Sequence, residues 1–446
     1  MTESSIHRKN PLVNAVIIII AVSVLYFSLT SLFLGALQHY SYMTAFVVDE
    51  NWIKILIGYL AVVSTASFLP KTVEPRTIFL WMLFIIIVVP RFIVFGCHNG
   101  GWVYPFGCLA VFCIAAIIGM SFVPRQRKLD RVSRRNIFIV NKAILAIVGV
   151  LAAVMFVYLV ISKGIPTIAA LDFNNIYEIR SSNSFPPGIR ELLNLLGIYV
   201  LPLLVCYFLA RGEMKKGVFI SLVQLVFFLW MANKSWLLTL LLIWLVYFLL
   251  KKKKLTIVVL CVGVAVVMAL LALWPNIYDS NLMTWIFSLF YRRLLLVPAA
   301  LGEAYYDFFL SNPPVLFNGT ILGFATPLPS QYETILYPNQ VGMLAFGTLE
   351  GYANTGLFGG EFANFGSVLG WPIIAINLVI IIYLVTMNRN EGNTSFLTFA
   401  SVFFAFSLLN ASSTRLIFSY SGIGTIALFL ALLSSFTPAE DRKKSG

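Results

Sequence analysis

Residues 211–254 open with Arg211-Gly212-Glu213-Met214-Lys215-Lys216 and run apolar to Met231. They break at Asn233-Lys234-Ser235, run apolar again to Leu250 and close with Lys251-Lys252-Lys253-Lys254. Lysine and arginine collect on the cytosolic side of membranes. The two basic clusters therefore share a side only if the chain crosses twice between them, with Asn233-Lys234-Ser235 as the turn on the far side. This is the weakest division between spans, and the parity of the whole topology turns on it.

Outward from this stretch the same pattern repeats. Long apolar runs broken by charged or turn residues fall at about 11–36, 51–70, 77–96, 104–123, 138–162, 192–210, 217–233, 236–250, 255–275, 364–387, 395–411 and 416–436, each near the ~20 residues a membrane helix needs. With the N-terminus on the cytosolic side, 22 of the 31 lysines and arginines fall on or next to inner segments, in alternation along the whole chain. An odd number of spans destroys that alternation. The expectation is an all-α polytopic membrane protein of about twelve transmembrane helices with both termini cytoplasmic. The N-terminus has no small-residue cleavage pattern, so the first span is expected to stay as an anchor.

Composition agrees. Of 446 residues 60% are hydrophobic and 11% charged, with mean hydropathy +0.90. A soluble enzyme cannot hide that much apolar surface, and a disordered chain would have far less of it. The net charge of +13 follows from the inner loops and does not call for a nucleic-acid partner. Cys97, Cys108, Cys113, Cys206 and Cys261 lie in or beside apolar stretches without ligand spacing, and read as small buried hydrophobes.

Two connections on the outer side are long, 163–191 and 276–363, and loops of that length tend to carry function. Nine cations remain off the inner pattern: Lys54, Arg91, Lys163, Arg180, Arg190, Lys234, Arg292, Arg293 and Arg415. Each needs a local reason. Arg180, near Tyr177, reads either as a ligand for an anion or as a surface arginine paired with Glu178 or Glu191. Arg292 and Arg293 sit in the apolar stretch 285–309, which reads as interfacial or re-entrant helices. The pair either snorkels to lipid phosphates or clamps a diphosphate through its planar donor forks. Glu303 and Asp307 are four residues apart and would share a helix face. The second loop holds two cations and six acids, so any anion site there is focal. Its aromatic, amide and carboxylate residues suit sugar rings. Arg91, Lys234 and Arg415 lie in or near spans, where ionisable residues are costly and function is the default hypothesis. None of the three histidines, His7, His39 and His98, lies in a long loop. A histidine base from those loops is excluded, and a metal site there would need carboxylates alone.

The pattern resembles the Wzy-type oligosaccharide repeat-unit polymerases, which include O-antigen polymerases. The resemblance rests on the topology and on Lys163-Gly164-Ile165-Pro166 with Tyr177-Glu178-x-Arg180, Asn233-Lys234-Ser235, Tyr291-Arg292-Arg293, Tyr305-Tyr306-x-Phe308-Phe309 and Asn354-x-Gly356. It implies a GT-C-like fold in a bacterial inner membrane and a glycosyl transfer at the outer face without metal or cofactor. The donor would be a glycan on undecaprenyl diphosphate, and the acceptor one repeat unit on a second such lipid. Membrane lipid and a chain-length-regulating co-polymerase are the further partners expected. Arg180, Lys234, Arg292, Arg293 and Arg415, with Tyr177, Tyr305 and Asn354, are expected to bind diphosphate and glycan. Glu303, Asp307 and Glu361 are the candidates for general base. A lipid-linked oligosaccharide flippase or transporter and an O-antigen ligase are the alternatives.

Overall fold

A computed structural model describes residues 11–40, 43–122, 131–167, 185–274, 276–317, 323, 328–349, 356–387, 389 and 392–436. Every regular element among them is helical. The long helices are α1 (Pro11–Leu34), α2 (Trp52–Phe68), α3 (Pro75–Cys97), α4 (Val103–Ser121), α5 (Arg131–Lys163), α6 (187–210), α7 (Met214–Met231), α8 (Lys234–Lys251) and α9 (Ile257–Ala272). They continue as α10 (281–311), α11 (Tyr337–Phe346), α12 (Leu357–Thr386), α13 (Thr394–Asn410), α14 (Ser413–Phe418) and α15 (Tyr420–Ser434). Nine helices among the described residues are long and apolar enough to cross a membrane, and four more are apolar but shorter. The protein is a multi-pass membrane protein.

Each of the twelve expected spans corresponds to a helix, with instructive differences. The break at Asn233 is real. Ala232 ends α7 in the left-handed conformation (φ 50°), and the Asn233 side chain accepts the Ser235 N–H to start α8. The last span is split, because Ser419 is extended and caps α15. The largest difference is α10, which is one continuous helix through the stretch expected as interfacial or re-entrant pieces. Three hydrogen bonds tie it and the turn before it toward one end of the bundle, while its body packs along α12 and reaches the middle of α3. Tyr278 just before it donates to Ala36 O, Tyr291 to Leu29 O, and Glu303 accepts from Gly101.

Three helices widen into π-helical turns, at Phe84–Val88 in α3, Leu195–Val200 in α6 and Phe287–Leu296 in α10. Each ends two residues before a proline: Pro90, Pro202 and Pro298. A proline has no N–H and its ring strikes the carbonyl four residues back. A locally wider turn relieves that clash without ending the helix. In α12 the chain instead breaks at Gly366 (φ 73°, ψ 169°), a conformation only glycine adopts at low cost. Ser367 then donates to Tyr306 O on α10 and locks the break.

The core is built on α3 and α13, which pack against each other. Residues 77–97 are all buried, and Phe396, Phe399, Phe403, Phe404 and Phe406 of α13 are buried too. A helix apolar on every side belongs in the centre of a bundle. Around this axis α1 packs on α2 and α9, α12 packs on α4 and α10, and α6 packs on α7 and α13.

Candidate functional site

After its π turn, α10 regains α geometry at Val297. Ala300, Glu303, Ala304 and Asp307 then fall on one face by helical spacing. The two alanines leave room, and the two carboxylates line it. The opposite wall comes from elsewhere in the chain: Thr44 and Ala45 in a single 3₁₀ turn, Val94 and His98 at the end of α3, and Leu344 and Ala345 of α11. Together they enclose an open cleft of about 240 Å³. The Thr44 hydroxyl donates to Leu344 O, tying two of the walls together.

Behind Glu303 lies the turn between α3 and α4, of which His98 reaches the cleft. Gly101 N–H donates to Glu303 Oε1 at 3.1 Å. Gly100 lies so close that a Cβ there would stand 2.5 Å from Oε1. Asn99 takes a left-handed φ of 53° and donates to Asp49. Lys54 pins the turn by donating to Asn99 O at 3.1 Å and Gly100 O at 2.7 Å, with Phe95 and Trp102 rings under its ammonium. His98 Nδ1 lies 2.6 Å from Val47 O. Glu303 is half-buried and Asp307 exposed, so one carboxylate faces inward and the other the opening. Lys54 and Arg91 are close enough to act on the charge of Glu303. Arg91 is buried, donates to Tyr104 Oη at 2.9 Å and to Ile87 O, and packs over the Phe358 ring.

The other expected residues are placed as follows. Arg180, Tyr177 and Asn354 lie outside the described residues. Arg292 is buried, donates to Ser288 Oγ at 3.0 Å and packs over the Tyr40 ring. Arg293 is exposed. Neighbouring helix residues point apart, so the two arginines do not present one joint fork. Lys234 is half-buried at the start of α8, and Arg415 half-buried in α14. Tyr305 is fully buried, stacked on Phe309 and packed against Tyr337, so its faces are covered by protein. Glu361 is also fully buried and does not line the cleft. Its oxygens accept from Ser413 Oγ, Thr414 N–H and Thr414 Oγ1, joining α12 to the first turn of α14. Asn377 donates to both hydroxyls and completes the network.

The structure thus brings Glu303 and Asp307 together, with Thr44 and His98 across the cleft from them and Lys54 on the turn behind Glu303. The exclusion of histidine rested on the long loops alone, and the fold carries His98 to that region from another connection. The signal for Lys54 was its position off the inner charge pattern. Nothing in the local sequence marked Thr44 or His98. Among the described residues no group of three or more histidine, cysteine or acidic side chains is placed to hold a metal ion. The cleft has carboxylate, imidazole and hydroxyl groups over small apolar walls, a set that suits a polyhydroxylated ligand. No protein-family model, curated protein or solved structure matches the chain.

Proposed function

We propose that the protein joins oligosaccharide repeat units carried on undecaprenyl diphosphate, at the outer face of a bacterial inner membrane. The observation that carries this is the cleft itself, with two carboxylates one helical turn apart, at the end of the bundle where cations are scarce. Positive-inside bias puts that end outside. Tyr278 just before α10 meets Ala36, and Tyr291 and Glu303 of α10 meet Leu29 and Gly101, toward this end; on this reading α10, though long and apolar enough to cross, lies there. Twelve crossings and the alternation of charge are then kept, with both termini cytoplasmic.

Within this reading Glu303 and Asp307 grip hydroxyls of the sugar at the reacting end. Arg293 lies ten residues before Glu303, or about 15 Å along the helix. One reacting centre does not touch both. The arginine region is better matched to the acceptor's own diphosphate, which sits a repeat unit away from the hydroxyl that reacts. For the donor's leaving diphosphate, Lys54, which acts on the charge of Glu303 from behind the cleft wall, is the cation this reading assigns. A chain-length-regulating partner remains part of the proposal.

The break at Gly366 inside a helix long enough to cross favours a second reading, a lipid-linked oligosaccharide flippase or transporter, since such proteins place broken helices at their substrate path. Deletion and complementation separates these, with surface glycan run on a gel. Loss of a polymerase leaves one repeat unit on the lipid core. Loss of a flippase, or of a ligase, leaves none. A ladder unchanged by deletion rejects all three.

A further inference from the structure

We infer that His98 is the proton-transfer group of the cleft, a role expected from the sequence to fall on a carboxylate. The inference rests on the transfer reading above. His98 lines the same cavity as Glu303 and Asp307, and its Nδ1 lies 2.6 Å from Val47 O. A carbonyl oxygen only accepts, so Nδ1 carries a hydrogen, and in the neutral ring the lone pair is then on Nε2. Nε2 has no hydrogen-bond partner among the described residues and is the ring nitrogen left for a ligand. The carboxylates are less suited. Glu303 Oε1 already accepts from Gly101, and Asp307 stands at the opening. The turn that carries His98 is held by Lys54 and by the Asn99 bond to Asp49, so the ring is held in place before a ligand arrives.

In the step, the acceptor hydroxyl gives its proton to Nε2 as its oxygen bonds to the donor's anomeric carbon. The bond from that carbon to the donor's phosphate oxygen breaks, and its electron pair leaves with the lipid diphosphate. The imidazolium returns the proton to water as the product departs. Glu303 and Asp307 steady the positive ring and hold neighbouring hydroxyls.

The test uses the full chain in lipid nanodiscs. Its substrate is a lipid extract from cells lacking the gene, and products are read as a ladder. His98→Asn keeps an N–H able to bond Val47 O and removes the nitrogen at the Nε2 position. It should elute like wild type and lose turnover by ~100-fold or more, with an apparent KM within about threefold of wild type. Imidazole should restore part of the rate of His98→Ala. A His98→Asn chain within about tenfold of wild-type turnover overturns the assignment. So does a folded His98→Ala chain that imidazole fails to revive. If His98→Ala does not fold, the turnover of His98→Asn decides alone. A wild-type chain that builds no ladder removes the transfer reading, and the role of His98 falls with it.

Discussion

Glu303 and Glu361 are the same side chain put to opposite uses. Glu361 is spent on structure, since Ser413 and Thr414 take both of its oxygens. Glu361→Leu would leave those buried donors without an acceptor, at a cost of about 3 kcal/mol. The expected result is a lower unfolding temperature in detergent, with normal turnover per folded molecule. Glu303→Gln and Asp307→Asn should do the reverse, weakening the ladder by ~10-fold or more at wild-type stability, as read by glycan gels beside thermal unfolding. The sequence spacing was enough to pair Glu303 with Asp307, because four residues is one helical turn. It was not enough to separate them from Glu361, whose partners lie about fifty residues further along. Arg292 is buried and Arg293 exposed for a local reason: adjacency in sequence is divergence on a helix.

At the level of elements, prolines were visible in the sequence, but their effect was not. A proline inside an apolar run permits a kink, an end or a widened turn. Pro90, Pro202 and Pro298 all take the third course. Pro298→Ala removes the need for the wide turn ahead of it. The turn should wind back to α geometry and rotate Tyr291 and Arg292 away from Leu29 and Tyr40. Stability should hold within about 1 kcal/mol, while the ladder shortens or is lost. Gly366→Ala acts on backbone strain instead. At φ 73° and ψ 169° a Cβ costs about 1–3 kcal/mol, and the unfolding temperature should fall accordingly. Of the helices, α10 was the hardest to read as one piece. Its arginines and carboxylates interrupt an apolar run that, in space, is continuous.

Across the whole molecule, long apolar runs located most of the helices, because insertion acts on local runs. The cleft was not legible in the same way, because its walls meet only after folding. At the opposite end, Glu74 pairs with Arg76 at 3.1 Å and Arg389 at 3.2 Å, and Arg76 also donates to Met120 O and Phe122 O. Burial works against the charge of Glu74, but the Arg389 and Arg76 guanidiniums outweigh it and hold its carboxyl below the usual range. A lowered folded value means stability that is present above the ordinary value of 4.5 and is lost as pH falls below it. Glu74→Gln should therefore lower stability at neutral pH by about 1 kcal/mol and flatten the acid limb of the unfolding profile. The walls of the cleft have a consequence for the chain as a molecule in two pieces. A cut within Lys251–Lys254 leaves Thr44 and His98 on the first piece, and Glu303, Asp307 and Leu344 on the second. Either piece alone would insert without a working cavity, and co-production of the two would restore polymer through non-covalent reassembly.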